Sequence, residues 1–190
     1  QETPPAFVML EDVFVSVNNP YFAPLFDTLS DNGKGSFVSD LFDLALSGSF
    51  TLVRDIDELN SFTTYELKKM LWDKPADEAA AEAVLDSMKP SDAFPVTLKY
   101  IQQFRLYYMT CYDKDMKLIS RSFIGMVPLN RNPDNYNTYW DLLIYFSTKN
   151  PEVQKILAKK CSLCANKMIS YLTIFNQIPM DELAHTAHYI

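Results

Sequence analysis

Glu182, His185 and His188 stand three residues apart. On a helix that spacing gives them a common face, and Glu-x-x-His is half of a carboxylate-bridged di-metal site. The other half would need further histidines, and the chain has only these two. Met180 to His188 therefore reads as a solvated terminal helical turn and not as a metal site. Cys161 and Cys164 have Cys-x-x-Cys spacing, preceded by Lys159 and Lys160. A redox pair needs its first thiol exposed at a helix start with a lowered pKa. Here the pair falls inside a run of helical periodicity, which predicts two small, buried, structural side chains. A zinc site would need a second pair of ligands at matching spacing. With Cys111 the count is three, an odd number that makes no disulfide framework. Asp55, Asp57 and Glu58 alternate as Ca²⁺ ligands can, without the glycine and the distal glutamate of an EF-hand loop. They read as a solvated polar link, and Asp113 and Asp115 as ordinary turn residues. No GxSxG, Walker, HExxH or Rossmann fingerprint is present. Catalytic, cofactor-binding and metal sites are all expected to be none, and the chain reads as no enzyme.

The elements that must position side chains centre on residues 97–148, a three-stranded antiparallel meander. Its strands are Gln103 to Tyr112, Leu118 to Val127 and Tyr139 to Ser147, all rich in aromatic and branched residues. Residues 113–117 form the first turn, and Pro128 is expected to end the second strand. Phe104, Leu106, Tyr108 and Tyr112 share one face of the first strand, while Tyr107, Met109 and Cys111 share the other. Trp140, Leu142, Ile144 and Phe146 oppose Tyr139, Leu143 and Tyr145 in the third. Both sheet faces are thus apolar, and antiparallel sheets usually keep one face polar. One cover is helices on one face with the N-terminal strand and loops on the other. The alternative is burial of one face or edge by a partner chain.

Upstream, residues 6–17 suggest a strand broken or bulged at Glu11-Asp12, followed by a turn at Asn18-Asn19-Pro20 and an aromatic segment. Ser36 to Leu46 reads as a helix with Phe37, Leu41, Leu44 and Ala45 inward and Gly48 beyond its end. Phe50 to Val53 is a short strand or an extended connection. Thr63 and Glu66 have capping-box spacing before Leu67, Met70 and Leu71, which predicts a short helix. Ala76 to Met88 predicts another. Downstream, Asn150-Pro151-Glu152 is a helix start. The apolar pattern from Val153 to Phe175 fits either one helix or two, broken near Asn166. Strands and helices mixed in this order predict one α+β domain over 1–190. Its parts are an N-terminal strand region (1–17), a helical and loop part (18–96), the meander (97–148), a C-terminal helix or helix pair (150–176) and a tail (177–190).

Composition bounds the partners. The chain has 190 residues, 48% of them hydrophobic, which suffices for a real core. A net charge of −7 disfavours sequence-blind nucleic-acid binding and anionic membrane surfaces. No apolar run has the length of a membrane span, so no direct span is expected. Gln1-Glu2-Thr3-Pro4-Pro5 reads as the start of a trimmed, mature chain.

Residues 103–129, QFRLYYMTCYDKDMKLISRSFIGMVPL, followed by 142–160, LLIYFSTKNPEVQKILAKK, resemble the GldN/PorN family of gliding-motility and type IX secretion proteins. That family has a strand ending in "R.IGIAP", matched here by Arg121, Ile124, Gly125, Val127 and Pro128. Its "L.W.YFPE.R" segment is similar to Leu142, Ile144, Tyr145, Phe146, Pro151 and Glu152. Leu41-Phe42-Asp43, Glu58 to Thr63, Asn18 to Tyr21 and Asn166 to Asn176 resemble further family segments. Gln103, Arg105 and Tyr107 replace the acidic and tryptophan positions of the family's first strand, and Gln177-Ile178-Pro179 replaces its basic segment. The resemblance implies a non-enzymatic scaffold subunit, periplasmic or in the cell envelope after signal-peptide removal. Its implied partners are an outer-membrane lipoprotein and copies of itself in a ring. The rival readings are an extracytoplasmic small-ligand-binding module with an aromatic-lined pocket and a carboxylate-dependent hydrolase.

Overall fold

The computed structural model describes residues 4–16, 19–21, 37–54, 56–71, 101–131, 139–141, 144–161, 169–177 and 185–189. In chain order its elements are β1 (Phe7–Ser16), α1 (Phe37–Leu46), β2 (Leu52–Val53), β3 (Ser61–Phe62), α2 (Thr64–Leu71), β4 (Ile101–Tyr112) and β5 (Leu118–Arg131). There follow β6 (Tyr139–Asp141), β7 (Phe146–Ser147), α3 (Pro151–Leu157), α4 (Tyr171–Asn176) and β8 (His185–Tyr189). The main sheet has the order β6-β5-β4-β1-β8, with β7 also on β5 and every pairing antiparallel. β2 and β3 form a small separate ladder. This is the expected α+β architecture, with helices set against an antiparallel sheet.

The predicted turn at 113–117 is present. The Asp113 carboxylate accepts the amides of Asp115 (2.8 Å) and Lys117 (2.9 Å), and Met116 takes a positive φ of 60°. The rest of the meander differs from expectation. β5 runs through Pro128 to Arg131. Pro128 is tolerated because the third strand is interrupted beside it: β7 pairs with Gly125–Met126 and β6 with Leu129–Arg131. Among the described residues no ladder partner stands opposite Val127 and Pro128 on that side, so the missing N–H of proline costs little there. The single third strand is therefore two short ones.

β1 is neither broken nor a cover for a face. It pairs with β4 in unbroken register from Phe7↔Tyr112 to Ser16↔Gln103, and with β8 on its other side. Glu11 and Asp12 are accommodated because each finds an arginine. One face of the sheet carries Val13, Val15, Phe104, Leu106, Tyr108, Phe123 and Met126 into the main core, with α1, α3 and α4. The opposite face holds a smaller cluster of Val53, Tyr107, Val127 and Tyr145, with Leu10, Ile56 and Ile124 against it.

The helix signals were informative. In α1, Phe37, Leu41 and Ala45 are buried as the periodicity requires, and Gly48 follows with φ 77°. Glu66 accepts the Thr63 amide (2.7 Å) while Thr63 Oγ1 accepts the Glu66 amide (3.2 Å), the reciprocal capping box. Asn150 Oδ1 accepts the amides of Glu152 and Val153 at the head of α3. The Val153–Phe175 pattern resolves into two helices. Just after the first and just before the second the backbone pairs with itself, with Cys161 N–H bonded to the Ile169 carbonyl and Tyr171 N–H to that of Lys159. Cys161 thus lies outside any helix. It is buried, as expected, but disulfide-bonded and not a packed thiol, while Cys111 is free. The periodicity misled because α3, α4 and the flanking residues Cys161 and Ile169 all pack into one core. The helix predicted over 76–88, the cap at Ser36, Glu182, Asp55 and Cys164 lie outside the described residues.

Candidate functional site

His185 and His188 sit in β8, opposite Val13 and Leu10 of β1, instead of in a helical turn. Positions three apart in a strand belong to opposite faces, so the His185 and His188 positions do not share one. Pairing with β1 overrides local helical spacing here. Asp57 caps its own loop by accepting the Leu59 amide (3.0 Å). Among the described residues, no three His, Cys, Asp or Glu side chains converge as a metal-holding group.

The most concentrated chemistry lies where Glu11 and Asp12 cross the sheet. Adjacent residues in a strand point to opposite faces. On the main-core face Glu11 Oε2 accepts Thr110 Oγ1 (2.9 Å) and lies 3.3 Å from Arg121 Nη2, while Oε1 accepts the Tyr112 hydroxyl (2.7 Å). Burial first, and then the hydrogen bond to Glu11, push the Tyr112 phenol above its ordinary value. On the other face Arg105 Nε donates to Asp12 Oδ2 at 2.7 Å. The Arg105 guanidinium is 5.5 Å from the Phe14 ring centroid and 5.2 Å from that of Tyr107. Both acids are buried, so these arginines hold charge that would otherwise be expensive to desolvate. The arrangement joins three strands through both faces of the sheet. It is electrostatic bracing, and the acids face away from each other instead of sharing a cleft.

A second concentration lies where α4 meets β5. Phe175 stacks on Phe123 with centroids 4.6 Å apart, and the Tyr108 hydroxyl donates to the Phe175 carbonyl at 2.6 Å. Asn176 Oδ1 accepts the Phe123 amide at 2.9 Å, so a side chain completes the strand edge. Tyr21 reaches the same helix end, its hydroxyl bonded to the carbonyls of Ile174 and Gln177. Burial raises the phenol pKa of both Tyr108 and Tyr21. Segments far apart in sequence, at Tyr21, Tyr108 and Phe175-Asn176, thus meet at one corner.

Two features face solvent. At the turn end of the β4–β5 hairpin four apolar side chains are exposed together: Phe7 (37%), Met116 (50%), Leu118 (50%) and Ile119 (43%). Phe7 pairs with Tyr112, and Tyr112 with Leu118, so Phe7 and Leu118 flank Tyr112 at one sheet end, with Ile119 next in the strand and Met116 in the turn. The second is a hollow of about 350 Å³ between β2, the β2–β3 loop, β7 and the start of α3. Phe50, Val53 and Tyr145 give it an apolar floor, Ser147 a hydroxyl, and Glu58 and Lys149 unlike charges. Tyr145 is fixed through its amide to Val53 (2.9 Å) and its hydroxyl to Ile124 (3.0 Å), and burial pushes its phenol well up. Neither the Tyr145 hollow nor the Glu11 and Asp12 bracing was read from the sequence. The available signal for the bracing was two adjacent acids in an apolar strand, with one arginine in each of the first two meander strands. Compared with family models and with curated proteins, the chain matches none.

Proposed function

We propose that this chain is a non-enzymatic scaffold subunit that works by binding other proteins in the cell envelope, in the manner of the GldN/PorN family it resembles. The observation that carries this is the apolar end of the β4–β5 hairpin. Phe7, Met116, Leu118 and Ile119 are each exposed at this one end of the sheet, and apolar exposure concentrated at one end supports a protein contact there. The disulfide at Cys161 agrees with an oxidising, extracytoplasmic compartment. The resemblance supplies the partner classes: an outer-membrane lipoprotein, and copies of this chain in a ring.

A stable interface of this kind buries more than about 1,000 Å² in total, with apolar anchors at its centre. Photoreactive residues placed at Phe7, Leu118 and Ile119 and irradiated in intact envelopes test it. The expected result is a crosslink to this chain itself or to an envelope lipoprotein. Positions in the β2–β3 loop, away from the hairpin end, serve as controls. Equal labelling of patch and control positions, or no crosslink at all from the patch, overturns the reading.

A further inference from the structure

We propose that the hollow beside Tyr145 binds a short apolar peptide with free ends, its ammonium directed to Glu58 and its carboxylate to Lys149. The volume, about 350 Å³, falls within the range of ligand-sized clefts. The floor is preformed. Tyr145 is buried and fixed at both its amide and its hydroxyl, and Phe50 is held by stacking on Phe146 with centroids 5.8 Å apart. Gly125 makes this possible, because a side-chain carbon there would meet the Tyr145 ring. A floor that needs no ordering loses little affinity to conformational entropy.

The rim supplies the polarity. Glu58 and Lys149 line the same hollow, and neither has an ion-pair partner among the described residues. Glu58 is held with a positive φ of 58°, a backbone state uncommon outside glycine, at the turn of the β2–β3 loop. Two unlike charges that share a hollow without pairing suit a ligand whose own charges are separated. In a free amino acid the ammonium and carboxylate sit on one carbon. In a dipeptide a peptide unit stands between them, and two apolar side chains remain for Phe50, Val53 and Tyr145. Exposed rim charges contribute orientation more than affinity. The inference is independent of the scaffold reading, since the hollow borders β7, which pairs with Gly125 and Met126 midway along β5, and the proposed contact surface lies at the Leu118 end of that strand.

The test is a titration of ¹⁵N-labelled full chain with leucyl-leucine, followed by NMR at the amides of Thr51, Val53, Ser147 and Lys149. Saturable shifts at these amides are expected, with a dissociation constant on the order of 1 mM for so small a ligand. N-acetyl-leucyl-leucine and leucyl-leucine amide should each bind about threefold to fivefold more weakly, the worth of one exposed ion pair. E58Q should abolish the penalty for acetylation and leave that for amidation; K149Q should do the reverse. Both positions are exposed, so neither variant threatens folding. Absence of saturable shifts, indifference to capping, or equal binding of free leucine overturns the proposal. Any of these results would leave the crosslinking prediction untouched.

Discussion

Single side chains in this protein act through the space and charge they give their neighbours. Gly125 stands opposite Tyr107 in the ladder, and the rings of Tyr107 and Tyr145 meet edge-on there with centroids 5.7 Å apart. G125A would drive a methyl group into the Tyr145 ring, an overpacking that costs about 1–3 kcal/mol. A urea melt should show the midpoint fall with the slope unchanged. Glu11 illustrates the electrostatic case. E11A would strand Arg121 and leave Thr110 and Tyr112 without their acceptor. Arg121 keeps some access to water, so a loss of about 2 kcal/mol is expected, below the full penalty of a buried unpaired charge. Phenols give a pH signature. Burial raises Tyr108 and Tyr145 far above the ordinary phenol value. A raised folded-state pKa means the unfolded chain ionises first, so stability is full below about pH 10 and falls as pH rises beyond it. Thermal melts between neutral pH and pH 11 should show this loss. Y145F should lessen the pH dependence while costing the hydrogen bond to Ile124.

At the level of elements, the sheet edge beside β5 is managed with unusual means. Register shifts interrupt the β4–β5 ladder at Tyr107/Tyr108 and at Cys111/Tyr112, and Asn176 supplies an acceptor where a neighbouring strand would otherwise stand. Bulges and side-chain caps are ways to discourage another chain from adding a strand. N176A should therefore cost about 1 kcal/mol for one unsatisfied amide and also raise concentration-dependent association, seen by light scattering. The hairpin, the capping box at Thr63 and the Asn150-Pro151 helix start were legible in sequence because each depends on residues within a few positions of one another. β8 was not legible, because a histidine spacing that suits a helix says nothing of a partner strand more than a hundred residues away. Pro128 failed as a stop signal for a related reason: its tolerance depends on a gap in a third strand. The hollow beside Tyr145 was illegible too, since its walls come from segments at 50–58 and 145–151 that only the fold brings together.

At the level of the molecule, the acid–arginine bracing and the two apolar clusters all cross β1 or β4, so the centre of the sheet is where stability concentrates. V13A, at a fully buried position of β1, an inner strand, should cost about 2 kcal/mol by denaturant unfolding. The same strand has a bearing on time. β1 occupies residues 7–16, yet its two ladder partners lie at 101–112 and 185–189. A ribosome delivers it before either partner, and its ladders cannot begin until residues 101–112 have followed. Closing such long loops before any contact rewards them is slow. During that interval a run of valine, leucine and phenylalanine has no sheet to join. β1 therefore waits on segments made well after it, and the order in which these strands are made is not the order in which they can pair.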